Sequence, residues 1–325
     1  MAIRLLITGG AGFIGANLVE YFIEDPRVEL IRVIDDLSNG YMENVEPFMA
    51  HPRYEFVRGD ICDYNTCRQV MRDIHKVSHQ AALGSVPRSM ENPMRTNEVN
   101  VGGTVNILYA AKEAGVERVV LAFSSSTYGD SPELPKVEER IGRPLSPYAV
   151  SKYASELYAE VFARVYGLTF IGLRYFNIFG PRQNPNNPYA AVIPIFCKAF
   201  LEGISPMIYG DGNTTRDFTY VENALLANDL ALFTENRDAF NQVYNVACGE
   251  QVSLNQMVAM LRQISGKDIY PTYGPERAGD VRHSQADISK IRRLLGYKPR
   301  VYMEEGLRRV YQYYAKTLTA SSVLA

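Results

Sequence analysis

The sequence has few cysteines, no excess charge and no long apolar run, and each absence excludes a class of protein. The four cysteines among 325 residues include no CxxC pair, which argues against a disulfide framework or a thiolate zinc site and favours a reduced cytosol. The 34 basic and 36 acidic side chains nearly cancel, so we expect neither nucleic acid nor a membrane surface as a partner. No apolar run reaches the roughly 18 residues of a membrane-spanning helix, and the chain opens on a predicted strand rather than a signal peptide. We therefore expect a cytoplasmic protein.

Short apolar runs alternate with amphipathic stretches, which predicts βαβ units. Continuous apolar strands are typical of a parallel sheet that helices cover on both faces. The predicted strands are residues 3–7, 30–34, 77–79, 119–123 and 170–173, and the predicted helices are residues 13–23, 92–114 and 147–166. The fold class is therefore α/β, with a Rossmann-type doubly wound parallel sheet.

The alternation changes after Asn177, which predicts a domain boundary. A Pro/Asn-rich segment at 181–188 and a Gly/Asp/Asn turn at 210–213 interrupt the pattern. Residues 221–246 predict one more helix and strand that return to the sheet. We assign residues 1–177, with 221–246, to the principal domain, and residues 178–220 and 247–325 to a smaller, discontinuous α/β domain.

The segment TGGAGFIG places Gly9, Gly12 and Gly15 between the first predicted strand and the first predicted helix. Glycines allow a tight turn and close approach to a pyrophosphate, whose charge the helix N-terminus favours. The second strand ends about 20 residues later in Asp35 and Asp36, where a carboxylate can accept from ribose hydroxyls and would repel a 2′-phosphate. These features predict a dinucleotide site that prefers NAD to NADP.

One other strand end carries candidate site residues. Asp60 and Ile61 follow a third strand, between the predicted strands at 30–34 and 77–79, where they could flank the adenine. Asp36 has a plainer alternative, because acids that follow strands are often solvated surface residues.

A serine-rich strand end and a tyrosine–lysine pair form a second candidate site. Tyr148 and Lys152 lie four residues apart on one face of a predicted helix. A nearby ammonium can lower the pKa of a phenol from about 10 toward neutrality, which makes Tyr148 a candidate general base. The spacing alone is weak, since 22 tyrosines supply on the order of one such pair by chance. Its position downstream of Ser124, Ser125 and Ser126 puts the pair at the sheet edge where doubly wound folds bind ligands.

The segments TGGAGFIG, FSSSTYG, SPYAVSKY and RYFN together resemble an extended short-chain dehydrogenase/reductase over nearly the whole chain. Within that family, RYFN, YGDGNTTRDF and RAGDVRHS are similar to segments of nucleotide-sugar 4-epimerases, particularly the UDP-N-acetylglucosamine 4-epimerase group. The resemblance implies an NAD-dependent isomerase that interconverts UDP-N-acetylglucosamine and UDP-N-acetylgalactosamine for polysaccharide biosynthesis. It makes the principal domain the NAD-binding domain and the smaller one the UDP-sugar-binding domain.

The resemblance also implies a mechanism. Tyr148 removes the proton of the sugar 4-hydroxyl while hydride passes to NAD, Lys152 tunes Tyr148 and holds the ribose, and Ser124 bridges Tyr148 to the substrate. The 4-keto sugar turns over and takes the hydride on its other face, so NAD is a tightly bound prosthetic group. The remaining cofactor contacts assigned on this basis are Phe13, Ile14, Asn39, Gly40, Gln80 and Tyr175.

Substrate residues follow from the same resemblance. Arg216 and Arg277 match positions that hold the UDP phosphates, and Asp280 matches one that accepts from ribose hydroxyls, although each could instead form an ordinary surface ion pair. Ser284 matches the position where a small residue admits a 2-N-acetyl group and a bulky aromatic restricts it. The other assigned positions are Ser85, Arg88, Ser125, Ser126, Asn177, Ala191, Val192 and Tyr209.

Several alternatives stay open. Related dehydratases and decarboxylases carry an acidic residue where this chain has Ser125 and Ser126, which argues against both reactions here. A 4-epimerase of UDP-glucose or of UDP-glucuronate shares the framework, and Arg88 is a candidate partner for a uronate carboxylate. A non-catalytic NAD-sensing protein on a Rossmann scaffold is the alternative outside enzymology.

No metal is expected, because the four histidines have no ligand spacing. We expect His79, in a predicted strand, to be packed or hydrogen-bonded rather than catalytic. The helices predicted at 92–114 and 147–166 resemble the pair that forms a four-helix dimer interface in this family. We therefore expect a homodimer.

Overall fold

The structure is a computed structural model that describes residues 2–276 and 282–323. Its strands in chain order are β1 (Ile3–Thr8), β2 (Val28–Asp35), β3 (Tyr54–Arg58), β4 (Lys76–His79), β5 (Arg118–Ser124), β6 (Phe170–Tyr175), β7 (Ile178–Phe179), β8 (Met207–Tyr209), β9 (Thr215–Arg216), β10 (Thr219–Tyr220), β11 (Gln242–Val246), β12 (Val252–Ser253) and β13 (Thr272–Gly274). Its α-helices are α1 (Phe13–Phe22), α2 (Tyr64–Val70), α3 (Val86–Glu91), α4 (Pro93–Asn97), α5 (Thr104–Ala114), α6 (Pro147–Tyr166), α7 (Val192–Glu202), α8 (Val221–Phe233), α9 (Leu254–Ser265), α10 (Ser289–Leu295) and α11 (Met303–Val323).

Seven of the strands form one sheet in the order β11-β6-β5-β4-β1-β2-β3. Every pairing in this sheet is parallel, which confirms the predicted doubly wound α/β architecture. The apolar strand residues are buried in two clusters, one on each face of the sheet. Burial on both faces explains why these strands read as continuous apolar runs rather than alternating ones.

The helix predicted over residues 92–114 is interrupted, and this part of the prediction was wrong. A π-helical turn, Glu98–Gly103, separates α4 from α5. Within it, Asn100 is buried and bonds through its side-chain amide to both the N–H and the carbonyl of Leu83. A Cβ on Gly103 would lie 2.5 Å from Ile61 Cδ1. The turn thus brings the helix backbone against the strand-end loops, a place where π-turns are common.

The other predicted elements are confirmed to within a few residues. Helix α6 has the predicted bounds, because Ser146 caps its first turn and Gly167 ends it in a left-handed conformation. After β6 the chain leaves the seven-stranded sheet, and it returns through α8 and β11, which pairs with β6. The short strands β7 to β10, β12 and β13 form three two-stranded sheets, and the division into two functional domains stays a prediction.

Candidate active site

A cavity of about 800 Å³ opens at the carboxyl edge of the parallel sheet. This is the edge at which open α/β sheets bind ligands. The predicted residues that line it are Gly9, Gly12, Phe13, Ile14, Gly15, Asp35, Asp36, Asn39, Gly40, Asp60, Ile61, Gln80, Ser124, Ser125, Ser126, Tyr148, Lys152, Tyr175, Asn177, Arg216 and Ser284. One cavity therefore brings together the candidate dinucleotide site and the tyrosine–lysine site.

The glycine turn between β1 and α1 has the geometry of a pyrophosphate cradle. Gly9 has φ +70°, and a Cβ there would lie 2.7 Å from the Ala81 nitrogen. A Cβ on Gly15 would overlap the Gly9 carbonyl oxygen. Gly12 caps α1 without a side-chain hydrogen bond, so the first-turn amides remain available to an anion. A side chain at Gly9 or Gly15 would clash with the protein backbone, so glycine permits the tight turn, and the turn with its available amides fits the diphosphate of NAD.

Asp35 has a structural task besides its predicted ribose contact. Its Oδ2 accepts from the Ala11 N–H at 2.9 Å, and its Oδ1 accepts from the Leu37 N–H at 2.8 Å. The carboxylate thereby fixes the glycine turn to the end of β2. Burial raises its pKa, and the two N–H donors oppose that rise. Asp36 accepts from Ser38 instead and also lines the cavity.

Asp60 and Ile61 line the cavity, and their contact with adenine stays a prediction; the carboxylate of Asp60 already has partners in the protein. Its Oδ1 accepts from the Cys62 N–H, and its Oδ2 forms an ion pair with Arg95 at 3.0 Å. Burial opposes ionisation, yet these bonds lower the pKa of Asp60. Arg95, on α4, is a residue that sequence reasoning did not connect to the site.

Ser124, Ser126 and Tyr148 form a hydrogen-bonded group. Ser124 ends β5, and its Oγ accepts from the Ser126 N–H at 3.2 Å and from the Ser126 hydroxyl at 2.9 Å. Tyr148 lies in the first turn of α6 and hydrogen-bonds to Ser124. Burial raises the pKa of Tyr148, whereas the bond to Ser124 lowers it.

Burial of the phenol opposes the predicted lowering of the Tyr148 pKa by Lys152. Lys152 is buried, and its ammonium donates to the Ala122 carbonyl at 2.8 Å. Burial lowers the pKa of Lys152 itself to about 8, against a raising effect of Glu156 one turn further along α6. Burial of the phenol dominates its titration, and the pKa of Tyr148 is raised.

Gln80 and Tyr175 join a buried polar network beneath the cavity. The Tyr175 hydroxyl donates to Gln80 Oε1 at 3.2 Å and accepts from Asn228 Nδ2 at 2.7 Å. Burial raises the pKa of Tyr175 to about 12, so it stays a neutral donor. His79, nearby, bonds through its two ring nitrogens to Thr8 and Thr104. Burial lowers the pKa of His79 to about 3, so its structural role is confirmed.

The substrate end of the cavity is built from segments outside the sheet. Asn177 has φ +39° and donates through Nδ2 to the Asp217 carbonyl at 3.0 Å. The buried carboxylate of Asp217 accepts three backbone N–H bonds, from Cys248, Gly249 and Ala286. Burial still raises its pKa to about 6. Arg216 and Ser284 are held beside it by backbone bonds through Thr215 and Arg282.

Five predicted substrate residues do not line this cavity. Ser85 caps α3, where its Oγ accepts from the Arg88 N–H at 3.2 Å. Arg88 turns to Asn39 and Tyr189. Residues 191 and 192 begin α7, and Tyr209 ends β8 with an exposed side chain. The positions of these residues at helix starts and at a strand end, and the contacts of Arg88, keep their side chains out of the cavity wall. Arg277 and Asp280 lie outside the described residues.

Lys136 is a cavity residue that sequence reasoning missed. Its side chain is only 4 % exposed, lines the cavity and donates to the Ser131 carbonyl. Its backbone N–H donates to the Gln285 carbonyl at 2.7 Å, so it lies beside the segment that carries Ser284. Lys136 belongs to no motif, so only its backbone bond to Gln285 shows that it lies at the cavity. Ser146 also lines the cavity, and its place before Pro147 is a helix-cap signal that could have found it.

The described residues hold neither a metal-ligand cluster nor a membrane-spanning helix. Within residues 2–276 and 282–323, His, Cys, Asp and Glu form no group of three or more that could hold a metal ion. In the same part of the chain, every helix is too short or too polar to cross a membrane.

Comparison with known proteins identifies the family. The sequence profile of the family described as GDP-mannose 4,6 dehydratase matches residues 6–310. The chain therefore belongs to this family of extended short-chain dehydrogenases/reductases.

Its relatives within that family include several nucleotide-sugar 4-epimerases. A UDP-glucose 4-epimerase of Mycolicibacterium smegmatis is 34% identical over 313 residues, which cover 96% of this chain and 98% of that protein. A UDP-N-acetylglucosamine 4-epimerase from Methanobrevibacter ruminantium, solved with UDP-N-acetylmuramic acid, is 38% identical with a TM-score of 0.91, and the match covers 97% of this chain and 99% of that one. A UDP-glucuronic acid 4-epimerase from Bacillus cereus, solved with UDP-glucuronic acid and NAD, is 30% identical with a TM-score of 0.90, and the match covers 97% of this chain and 100% of that one.

Proposed function

We propose that this chain is a UDP-N-acetylglucosamine/UDP-N-acetylgalactosamine 4-epimerase. The reaction type rests on relatives that match over nearly the full length: the chain is a nucleotide-sugar 4-epimerase, an isomerase with NAD as its cofactor. The preference for N-acetylhexosamines as substrates is the proposal that goes beyond these relatives. It is supported by Ser284, a small side chain in the cavity wall at the substrate end.

The observation that carries the reaction type is the group formed by Ser124, Tyr148 and Lys152 in one cavity. Tyr148 takes the proton of the sugar 4-hydroxyl, and Ser124 relays the contact between phenol and sugar. When bound on the glycine turn, NAD supplies hydride acceptance and return at C4. The wall next to Ser124 continues as Ser125 and Ser126, so this segment offers no carboxylic acid for elimination chemistry.

The uronate alternative needs a cation in the hexose pocket. Arg88, the sequence-based candidate, does not line the cavity, whereas Lys136 and Arg216 do. Lys136 therefore becomes the candidate partner for a sugar carboxylate, and UDP-glucuronate stays the second candidate substrate, with UDP-glucose beside it. A non-catalytic NAD sensor has less support, because the three catalytic side chains lie together.

The test of the reaction is proton NMR of the purified protein with UDP-N-acetylglucosamine, without added cofactor. We expect the C4 epimer, UDP-N-acetylgalactosamine, to accumulate to an equilibrium mixture. If neither epimer converts into the other even after NAD is supplied, the proposal fails.

The dimer is also a proposal. Helix α6 exposes one apolar stripe, with Val150 54%, Leu157 45%, Val161 38% and Val165 65% exposed, and Tyr109 on α5 lies exposed as well. Spacings of seven, four and four residues place the four α6 side chains on one helix face, which a second copy would bury. Sedimentation velocity should give a dimer, and Leu157→Glu should give monomers; a monomeric wild-type protein would refute the proposal.

The cysteines are consistent with a reducing compartment. All four are free thiols, and a cytoplasmic location remains a prediction.

A further inference from the structure

The hydrogen bond between Arg88 and Asn39 crosses the glycine turn. In the sheet, β1 lies between β4 and β2, so the turn after β1 opens between the loop after β2 and the helix after β4. Asn39 belongs to that loop, and Arg88 belongs to α3. Arg88 Nη2 donates to Asn39 Oδ1 at 3.0 Å. Because neighbours of both residues line the cavity, the bond spans its mouth above the pyrophosphate cradle.

Tyr189 adds a third element to this crossing. The Arg88 guanidinium carbon lies 4.7 Å from the centroid of the Tyr189 ring, and the Tyr189 hydroxyl donates to Glu91 of the same helix. In the described part of the chain, the Arg88 guanidinium contacts Asn39 and the ring and hydroxyl of Tyr189, and it forms no ion pair. An arginine held by a neutral amide and an aromatic face can be released without separating opposite charges.

The segment that carries Tyr189 is fixed on the opposite side of the cleft as well. Asn184 Nδ2 donates to the Tyr41 hydroxyl at 2.8 Å, and the Tyr41 N–H donates to the Ala11 carbonyl within the glycine turn at 3.0 Å. Asn39 and Tyr41 belong to one loop. The contacts Asn39–Arg88, Arg88–Tyr189 and Asn184–Tyr41 therefore close a belt around the mouth of the cofactor cleft.

We propose that this belt is the latch that retains NAD, with Asn39 in the cavity wall and with Arg88 and Tyr189 as cofactor-positioning residues outside it. The inference rests on the proposed function, because it takes NAD as the occupant of the glycine turn. A dinucleotide on that turn leaves through the mouth, so the belt must open first. Arg88 thus acts on cofactor release. The sequence had instead suggested that Arg88 contacts the hexose.

The experiment measures NAD release directly. The protein is loaded with NAD and diluted into an enzyme that destroys free NAD, and the retained NAD is quantified over time by chromatography. Arg88→Met keeps the length of the side chain but removes the bridge, and we expect release about tenfold faster, which corresponds to about 1.4 kcal/mol. Tyr189→Phe keeps the ring under Arg88 but removes the hydroxyl that bonds to Glu91 and to Arg88, and it should have a smaller effect in the same direction. Arg308→Met, on the surface of α11, is the matched control and should release NAD at the wild-type rate.

A double-variant cycle separates the latch from a general loss of structure. If Arg88 acts through Asn39, Arg88→Met should add little to the release rate of Asn39→Ala. Melting of the NAD-free proteins checks that each variant folds. Wild-type release rates in Arg88→Met and Tyr189→Phe overturn the proposal, and so does weaker UDP binding by Arg88→Met with unchanged NAD retention. A wild-type protein that binds no NAD would instead refute the proposed function, and the loading step reveals this first.

Discussion

Ser126 donates its hydroxyl to Ser124 Oγ at 2.9 Å, and its backbone N–H donates to the same oxygen at 3.2 Å. These two bonds occupy the acceptor positions of Ser124 Oγ, so the Ser124 hydrogen is directed to another acceptor. Tyr148 is the hydrogen-bonded neighbour that becomes a strong acceptor when it ionises. Ser126 therefore orients Ser124 as a donor to the phenolate, which favours the basic form of Tyr148.

This relationship predicts a graded loss of activity. Ser124→Ala should lower kcat about a hundredfold, and Ser126→Ala about tenfold, since the second change leaves the Ser124 hydroxyl present but unoriented. In both variants the acidic limb of the kcat/KM pH profile should move to higher pH. Ser124→Thr, which keeps the hydroxyl, should retain more activity than Ser124→Ala. Equal activity of Ser126→Ala and wild type would contradict the orienting role.

Tyr148→Phe tests the general base. We expect kcat to fall by about 10³-fold, because the proton of the sugar hydroxyl then lacks an acceptor. NAD should still be retained, since the glycine turn is untouched. The measurement is epimer formation at saturating sugar together with the NAD content of the protein. A variant that retains NAD and turns over near the wild-type rate would exclude Tyr148 as the base.

The buried ammonium of Lys152 should lower the stability of the fold while it serves the reaction. Its pKa is about 8 in the folded NAD-free protein against an ordinary value of 10.5, so the unfolded chain binds its proton more tightly. The cost to folding is fully present below pH 8, on the order of 3 kcal/mol, and disappears as the pH rises toward 10.5.

Thermal melting of NAD-free Lys152→Met therefore has a defined pH dependence. The variant should melt at a higher temperature than wild type at pH 7, and the difference should shrink by pH 9.5. Its activity should be lost. A variant that melts below wild type at pH 7 would mean that the bond from Lys152 to the Ala122 carbonyl outweighs the burial of the charge.

Ser284 tests the sugar preference. Ser284→Tyr should lower kcat/KM for UDP-N-acetylglucosamine at least about tenfold and leave that for UDP-glucose less affected, because the larger side chain fills the space of the 2-N-acetyl group. Ser284→Ala, which keeps the space, is the control and should resemble wild type. A parallel loss on both sugars would show that position 284 does not sort the 2-substituent.

The sheet and the catalytic group could be predicted because local signals determine them. The strands are continuous apolar runs, the glycine turn follows β1 directly, and Ser146 with Gly167 marks both ends of α6. Tyr148 and Lys152 share a helix, so their spacing alone places them on one face.

The residues that escaped prediction depend on contacts between distant segments. Lys136 reaches the cavity only because its backbone pairs with Gln285. Arg88 lies next to cavity residues in sequence, yet its side chain contacts Asn39 and Tyr189 instead. Asn39 is 49 residues away along the chain. The titration of Tyr148 also depends on such contacts, because spacing reveals a neighbouring charge but not the burial that opposes ionisation.

The most direct test of the account is a competition among UDP-N-acetylglucosamine, UDP-glucose and UDP-glucuronate in one reaction, with the three C4 epimers followed by proton NMR. We expect the N-acetylated sugar to convert with the largest kcat/KM, UDP-glucose more slowly and UDP-glucuronate least. Preferential conversion of UDP-glucuronate would contradict the account and assign Lys136 to the sugar carboxylate, and no conversion of any sugar by the NAD-loaded protein would contradict the epimerase assignment itself.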